Sequence, residues 1–256
     1  MATSARRLGA LVPCLGSALG LAVLAGGCTL FKQVKPSDIE QAPTFSASAV
    51  ARKGVVIGAV ACSRPEYLAR ETSREALGSA LRASLLQEQP EMKVLMPEDL
   101  EQALGAEAYQ EWSQYFQDTG LIRTDSLPEI FSGLQGSAGY VLLARVEEDQ
   151  ISRTHGDHQV SKDGRFVTEG EEYVTSRTTE MLFRLYDLET STMEWKGHFE
   201  TTSTLTNVED DEELVIEILE VVLDEEEDSP YPEPTSIETQ TGLIFEEFAA
   251  TVFDSE

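Results

Sequence analysis

Three groups of residues have the types and spacing to do chemistry: His155-Gly156-Asp157-His158, the small residues running into Cys28, and the acidic run from Glu209 to Asp228. Two imidazoles three positions apart with a carboxylate between them offer donors that zinc or copper takes. Set among turn residues such as Gly156 and Gly164, the same four residues also read as a solvated hairpin tip. Asp163-Gly164 invites a calcium-loop reading, but with Gly164 at the loop's glycine position the closing glutamate falls on Gly170, so the ligand set fails. In the acidic run, 12 of 20 residues are Asp or Glu. Glu209 to Glu213 would favour a helix start, whereas Asp224 to Asp228 would oppose the dipole at its end. Weak divalent-cation binding, a basic partner or a self-repelling linker each account for that placement.

Cys28 carries the most specific pattern. Arg6 and Arg7 open a leader, Leu8 to Ala25 hold no charge, and Ala25, Gly26 and Gly27 precede the cysteine, the layout of a bacterial export signal. The apolar run is marginal for a membrane span, which takes about 20 residues. A small residue directly before cysteine resembles the lipobox of bacterial lipoproteins, although Ala25 stands where leucine is commoner. The resemblance implies removal of residues 1–27 as a signal peptide, diacylglycerol and palmitate on Cys28, and attachment to the membrane through that lipid. Thr29 and Leu30 include no aspartate, which favours the outer membrane, facing the periplasm. An ordinary secretory signal and an uncleaved anchor are the alternatives. With Cys14 in the leader and Cys28 lipidated, Cys62 has no disulfide partner, and its place at the end of an apolar run fits a buried, inert thiol.

The chain has 256 residues, with 19 Lys and Arg against 46 Asp and Glu. The leader holds two of the basic residues and none of the acidic ones, leaving 17 against 46. So acidic a surface excludes nucleic acid and anionic lipid headgroups as partners. It leaves room for basic partners and divalent cations. No G-x-S-x-G, phosphate-binding glycine loop or H-E-x-x-H is present, no cofactor is implied, and the acidic pairs are too many to single out a hydrolytic dyad.

These groups are positioned by a short list of elements. Residues 28–52 read as a lipid-anchored flexible tether, with Pro36, Pro43 and a Ser/Ala stretch. Residues 53–223 form an α/β domain. Val55 to Ala61 and Tyr140 to Val146 are apolar on both faces, as central strands are. Thr72 with Glu75, and Ser126 with Glu129, suggest capping boxes before helices. The stretch from Glu147 to Glu172 is hydrophilic and punctuated by turn residues. Met181, Phe183 and Leu185, then Met193, Trp195, Phe199, Thr201 and Leu205, alternate around a polar turn, the signature of an antiparallel hairpin. Leu214, Val215, Ile218 and Val222 make a helical face. An acidic linker over 224–235 then leads to a C-terminal helix over 236–256 packing on the domain. The fold class is α/β: a mixed sheet with a central strand pair, a long antiparallel hairpin and flanking helices.

This order, begun by the opening strand Lys53 to Ala61, the helix Thr72 to Gln87 and Val94-Leu95-Met96-Pro97-Glu98-Asp99-Leu100, resembles the curli-secretion and penicillin-binding-protein-activator group of bacterial envelope lipoproteins. Tyr140 to Val146, Leu185-Tyr186-Asp187-Leu188-Glu189-Thr190 and Trp195-Lys196-Gly197 extend the likeness over roughly residues 53–223. What it implies is a tethered, non-enzymatic module that binds, scaffolds or regulates an envelope protein. The pore-forming version of that group is excluded for the insert Ser152 to Glu172, whose charges cannot face lipid. The alternative is a periplasmic hydrolase whose carboxylates meet only in three dimensions.

Overall fold

A computed structural model describes residues 30–31, 33–64, 72–134, 136–162, 165–210 and 229–254. Among the described residues seven strands form one open mixed sheet: β1 (Leu30–Phe31), β2 (Lys35–Gln41), β3 (Val55–Cys62), β4 (Val94–Leu95), β5 (Tyr140–Lys162), β6 (Arg165–Asp187) and β7 (Thr192–Asp210). Their order is β1-β7-β6-β5-β3-β4, with β2 also paired to β7. β3 lies parallel to β4 and β5, and the other pairings are antiparallel. The sheet is covered on one side by α1 (Ala47–Lys53), α2 (Arg74–Glu88) and α6 (Ile237–Phe253), and on the other by α3 (Pro97–Leu104), α4 (Ala106–Thr119) and α5 (Leu127–Gly133).

Two covered faces explain why β3 is buried at every position. Its side chains do not alternate simply, because the register against β5 shifts between Ile57 and Ala59. Val55, Ile57, Val60 and Cys62 therefore join the α2/α6 cluster, while Val56, Ala59 and Ala61 join the α4/α5 cluster. Gly58 sits at the shift. A Cβ there would lie 2.7 Å from both the Trp112 ring and a Val141 methyl, so the indole packs where a side chain would have been. On the opposite layer Phe183 stacks on Phe248 at 4.1 Å and meets Phe199 and Phe245 edge-on. The amphipathic C-terminal helix thus completes the larger cluster. Its N-cap is Ser236, which accepts from the Thr239 amide at 3.2 Å.

Four expectations need correction. Residues 28–52 are not a free tether throughout. β2 pairs with β7 from Trp195 to Glu200, and Val34, Ala47 and Val50 are buried, so the folded domain starts well before residue 53. The reason is the exposed edge β7 would otherwise present; β2 occupies it, bulged at Asp38, whose φ is 49°. The turn-rich insert is two strands, paired from Val146 and Met181 outwards as far as Lys162 and Arg165. Hydropathy hides them because both of their faces are polar. Thr72 does not cap α2; Ser73 accepts from the Ala76 amide at 3.1 Å, and Thr72 donates to Glu238 at 2.5 Å. Ser126 lies in a tight 3₁₀ turn and donates to the Arg123 carbonyl at 2.6 Å, so the second capping box does not form.

The hairpin of β6 and β7 forms as its alternation predicts, with one local exception. A register shift between Leu185 and Tyr186 turns Met193 outward and Glu194 inward, where Glu194 accepts from Thr44 and Thr192, each at 2.8 Å.

Candidate functional site

β3 pairs with β5 only as far as Val146. Beyond that point β5, β6 and β7 continue as a ribbon whose two faces are both polar and whose foot β1 edges at Ser203 and Thr204. One face carries cross-strand hydroxyl pairs, Thr178 with Thr202 at 3.0 Å and Ser176 with Thr204 at 3.1 Å. At its foot the other face is buried, yet it is lined by Asp149, Thr179, Arg177 and Ser203. Arg177 holds Asp149 in a two-pronged pair at 2.8 and 2.6 Å and donates to the Thr235 carbonyl at 3.0 Å. Gln240 of α6 donates to the Arg177 carbonyl at 3.3 Å and to Ser203 at 2.5 Å. The aliphatic core ends here, and a fixed polar network fastens the ribbon to the last helix.

Further out on this face lies the sequence's metal candidate. His155 pairs across the strands with Tyr173 and Asp157 with Glu171, while His158 takes the register position opposite Gly170. The His155 ring stacks on Tyr173 at 5.1 Å, and its Nε2 stands 3.5 Å from the Glu171 carboxylate. Tyr173 donates its hydroxyl to the same carboxylate. That hydrogen bond, ahead of the imidazole, holds the Glu171 carboxyl below its usual range. His155 is thus engaged by an aromatic ring and a glutamate on the neighbouring strand. Among the described residues no three metal-ligating side chains gather, and the hairpin-tip reading gives way to a strand position.

The segment from Ser229 to Ser236 crosses this face on its way to α6. Tyr231 meets Tyr173 edge-on at 5.3 Å, and the Arg153 guanidinium lies 5.8 Å over the Tyr231 ring. Asn207 donates to the Pro230 carbonyl at 3.2 Å. Sequence reasoning missed this arrangement because Arg153, Tyr173, Asn207 and Tyr231 come from four separate stretches. The legible signal was the alternation of prolines around Tyr231.

A second feature opens at the carboxyl end of β3, where open α/β sheets place their ligands. It is a cleft of about 250 Å³ floored by Ala59, Val60 and Ala61 and flanked by the first turns of α2 and α3. Glu75, Glu98 and Glu101 line it and are exposed. Tyr109 donates to the Gly58 carbonyl at 3.1 Å. Burial, helped by the charges of Glu101 and Glu98, pushes its phenol up to about 12. Arg74 also lines the cleft and donates to the Gln117 side chain.

Cys28, the helix expected over Leu214 to Val222 and the acidic run from residue 211 to 228 lie outside the described residues.

No family pattern and no curated protein sequence matches the chain. Solved structures similar to it include the PelC dodecamer from Paraburkholderia phytofirmans, at 12% identity and a TM-score of 0.32, over 90% of this chain and 99% of that one. They also include the hypothetical protein CT253 from Chlamydia trachomatis, at 18% identity and a TM-score of 0.34, over 57% of this chain and 70% of that one. A third is lipoprotein GNA1162 from Neisseria meningitidis, at 17% identity and a TM-score of 0.26, over 66% of this chain and 93% of that one. Likenesses of this size carry no argument about function, which rests on the chain's own residues.

Proposed function

We propose that the protein is a lipid-anchored envelope lipoprotein, held at the outer membrane through Cys28, whose α/β domain binds another envelope protein and catalyses no reaction. The leader and the small residues before Cys28 support the anchor. The observation that carries the binding reading is the cleft at the end of β3. A carboxyl acting as general acid is held out of water, whereas Glu75, Glu98 and Glu101 there are all exposed. The described surface offers recognition chemistry instead: a polar ribbon, an aromatic cluster and a strongly acidic helical layer. Anchoring supplies the rest of the mechanism, since lipid attachment raises the effective concentration of a weakly binding domain near its partner.

Two measurements test this. The mass of the mature amino terminus is expected to be that of a diacylated Cys28, lost in Cys28→Ala; an unmodified terminus beginning elsewhere overturns the anchor. A photo-crosslinking residue placed at the exposed Ile151 of the ribbon, and in a second protein at Glu101 of the cleft, is expected to give a discrete adduct with one envelope protein in intact cells. No adduct from either position overturns the binding reading. So does a hydrolytic activity that disappears in Glu98→Gln/Glu101→Gln.

A further inference from the structure

The ribbon face bearing Arg153, His155, Tyr173 and Asn207 already holds a ligand: the chain's own segment from Ser229 to Thr235. Its sequence is Ser-Pro-Tyr-Pro-Glu-Pro-Thr, so from Ser229 to Pro234 every residue either is a proline or precedes one. Proline fixes its own φ near −65°, and its ring excludes the helical region for the residue before it. The segment is therefore biased towards extended, polyproline-like backbone before it touches anything, with a bend over Pro230 and Tyr231, and it loses little entropy on docking. Such backbone has no internal hydrogen bonds, so its carbonyls are open to side-chain donors. Asn207 donates to the carbonyl of Pro230 and Arg177 to that of Thr235. Between these two points the Tyr231 ring meets Tyr173 edge-on and the Arg153 guanidinium lies over it. His155 and Glu171 hold Tyr173 in place by stacking and by accepting its hydroxyl proton in a hydrogen bond. Side-chain donors to carbonyls along the chain, with aromatic packing between prolines, are how proline-rich segments are recognised.

We propose that this face is a binding site for extended, proline-rich polypeptide with an aromatic residue between two prolines, and that residues 229–235 fill it in cis and so restrain access to it. The inference deepens the binding-module reading by naming a surface and the chemistry of its occupant. A tethered occupant competes at an effective concentration on the order of mM, so a partner in trans gains the site when the strap is weakened.

The test uses the full chain in detergent and a fluorescent peptide copying residues 229–235. In Tyr231→Ala, which removes the strap's ring, the peptide is expected to bind saturably and about tenfold more tightly than to the unaltered protein. Adding Tyr173→Ala to that variant is expected to abolish binding. The near-ultraviolet signal of buried Trp195 reports folding. Pro230→Gly, which keeps the ring and frees the backbone, serves as a second background should Tyr231→Ala not fold. Equal or absent binding in the unaltered and strap-weakened proteins overturns the proposal, as does binding that survives Tyr173→Ala. Either result leaves the crosslinking experiment to decide separately whether the domain binds an envelope protein elsewhere.

Discussion

Asp187 shows how one side chain sets the geometry of the β6–β7 turn. Its Oδ1 accepts from the amides of Glu189 and Thr190 at 2.8 and 2.9 Å, and its Oδ2 lies 3.4 Å from Lys53. Burial on its own would raise the carboxyl, but the two amides and the ammonium outweigh it and hold it below its ordinary value of 3.8. A carboxyl lowered on folding contributes stability that is complete above its unfolded value and is lost as pH falls through the folded one. The melting temperature is thus expected to fall below about pH 4, and part of that fall should vanish in Asp187→Asn; an unchanged acid limb would remove Asp187 from the account. At neutral pH the same substitution should cost about 1–3 kcal/mol, because charge-assisted bonds to two amides are weakened. Gly58 makes a second point at this scale. In Gly58→Ala the added methyl meets Trp112 and Val141 at 2.7 Å, an overpacking cost of about 1–3 kcal/mol. Urea denaturation reads it, and an equally stable alanine variant would mean that β3 moves freely against α4.

Among the elements, the ribbon decides most and was least legible. β3 and the first part of β5 stand out in the sequence because both sheet faces are covered and, Arg145 apart, the side chains are apolar. The outer part of β5 and most of β6 do not, because the buried face at the ribbon's foot is made of Asp149, Arg177, Thr179 and Ser203, which no hydropathy period detects. β2 was hidden for a different reason: an edge strand with all seven residues exposed carries no apolar signal, and its partner lies far along the chain. The candidate site was legible only in fragments, with His155 and Asp157 visible but Tyr173, Asn207 and Tyr231 brought to them by pairing. The polar foot also gives the element-scale prediction. Removing one partner of a buried ion pair strands the other charge and costs about 3–5 kcal/mol, whereas replacing both with apolar residues is often nearly neutral. With the Arg177 and Asp149 side chains 1% and 4% exposed, Arg177→Met should be strongly destabilising and Arg177→Met/Asp149→Leu much less so. A double mutant as unstable as the sum of its singles would mean that the pair does not act as a unit.

On the scale of the whole molecule, charge is the dominant fact: a formal net charge of -27 over 256 residues. Part of it sits on one helical layer, where Glu98, Glu101, Glu107, Glu111 and Asp118 are exposed and Arg123 pairs with Glu111 at 3.0 Å. Like charges repel more strongly in the compact chain than in the unfolded one. That repulsion has a range set by the Debye length, about 30 Å at 0.01 M salt and about 8 Å at 0.15 M. Raising salt across that interval should therefore stabilise the fold. Each 1 kcal/mol regained would appear as about 2–4 °C in melting temperature for a domain of this size. Exposed ion pairs act in the opposite sense, because salt weakens them, but pairs such as Lys196 with Glu40 at 3.0 Å contribute only about 0–1 kcal/mol each. The buried Arg177–Asp149 pair is screened much less, so the ribbon's attachment should be insensitive to salt while the global melting point rises. A melting temperature that falls with added salt would show that attraction between surface pairs outweighs the net repulsion, and the acidic layer would then be a balanced surface without an excess field to offer a basic partner.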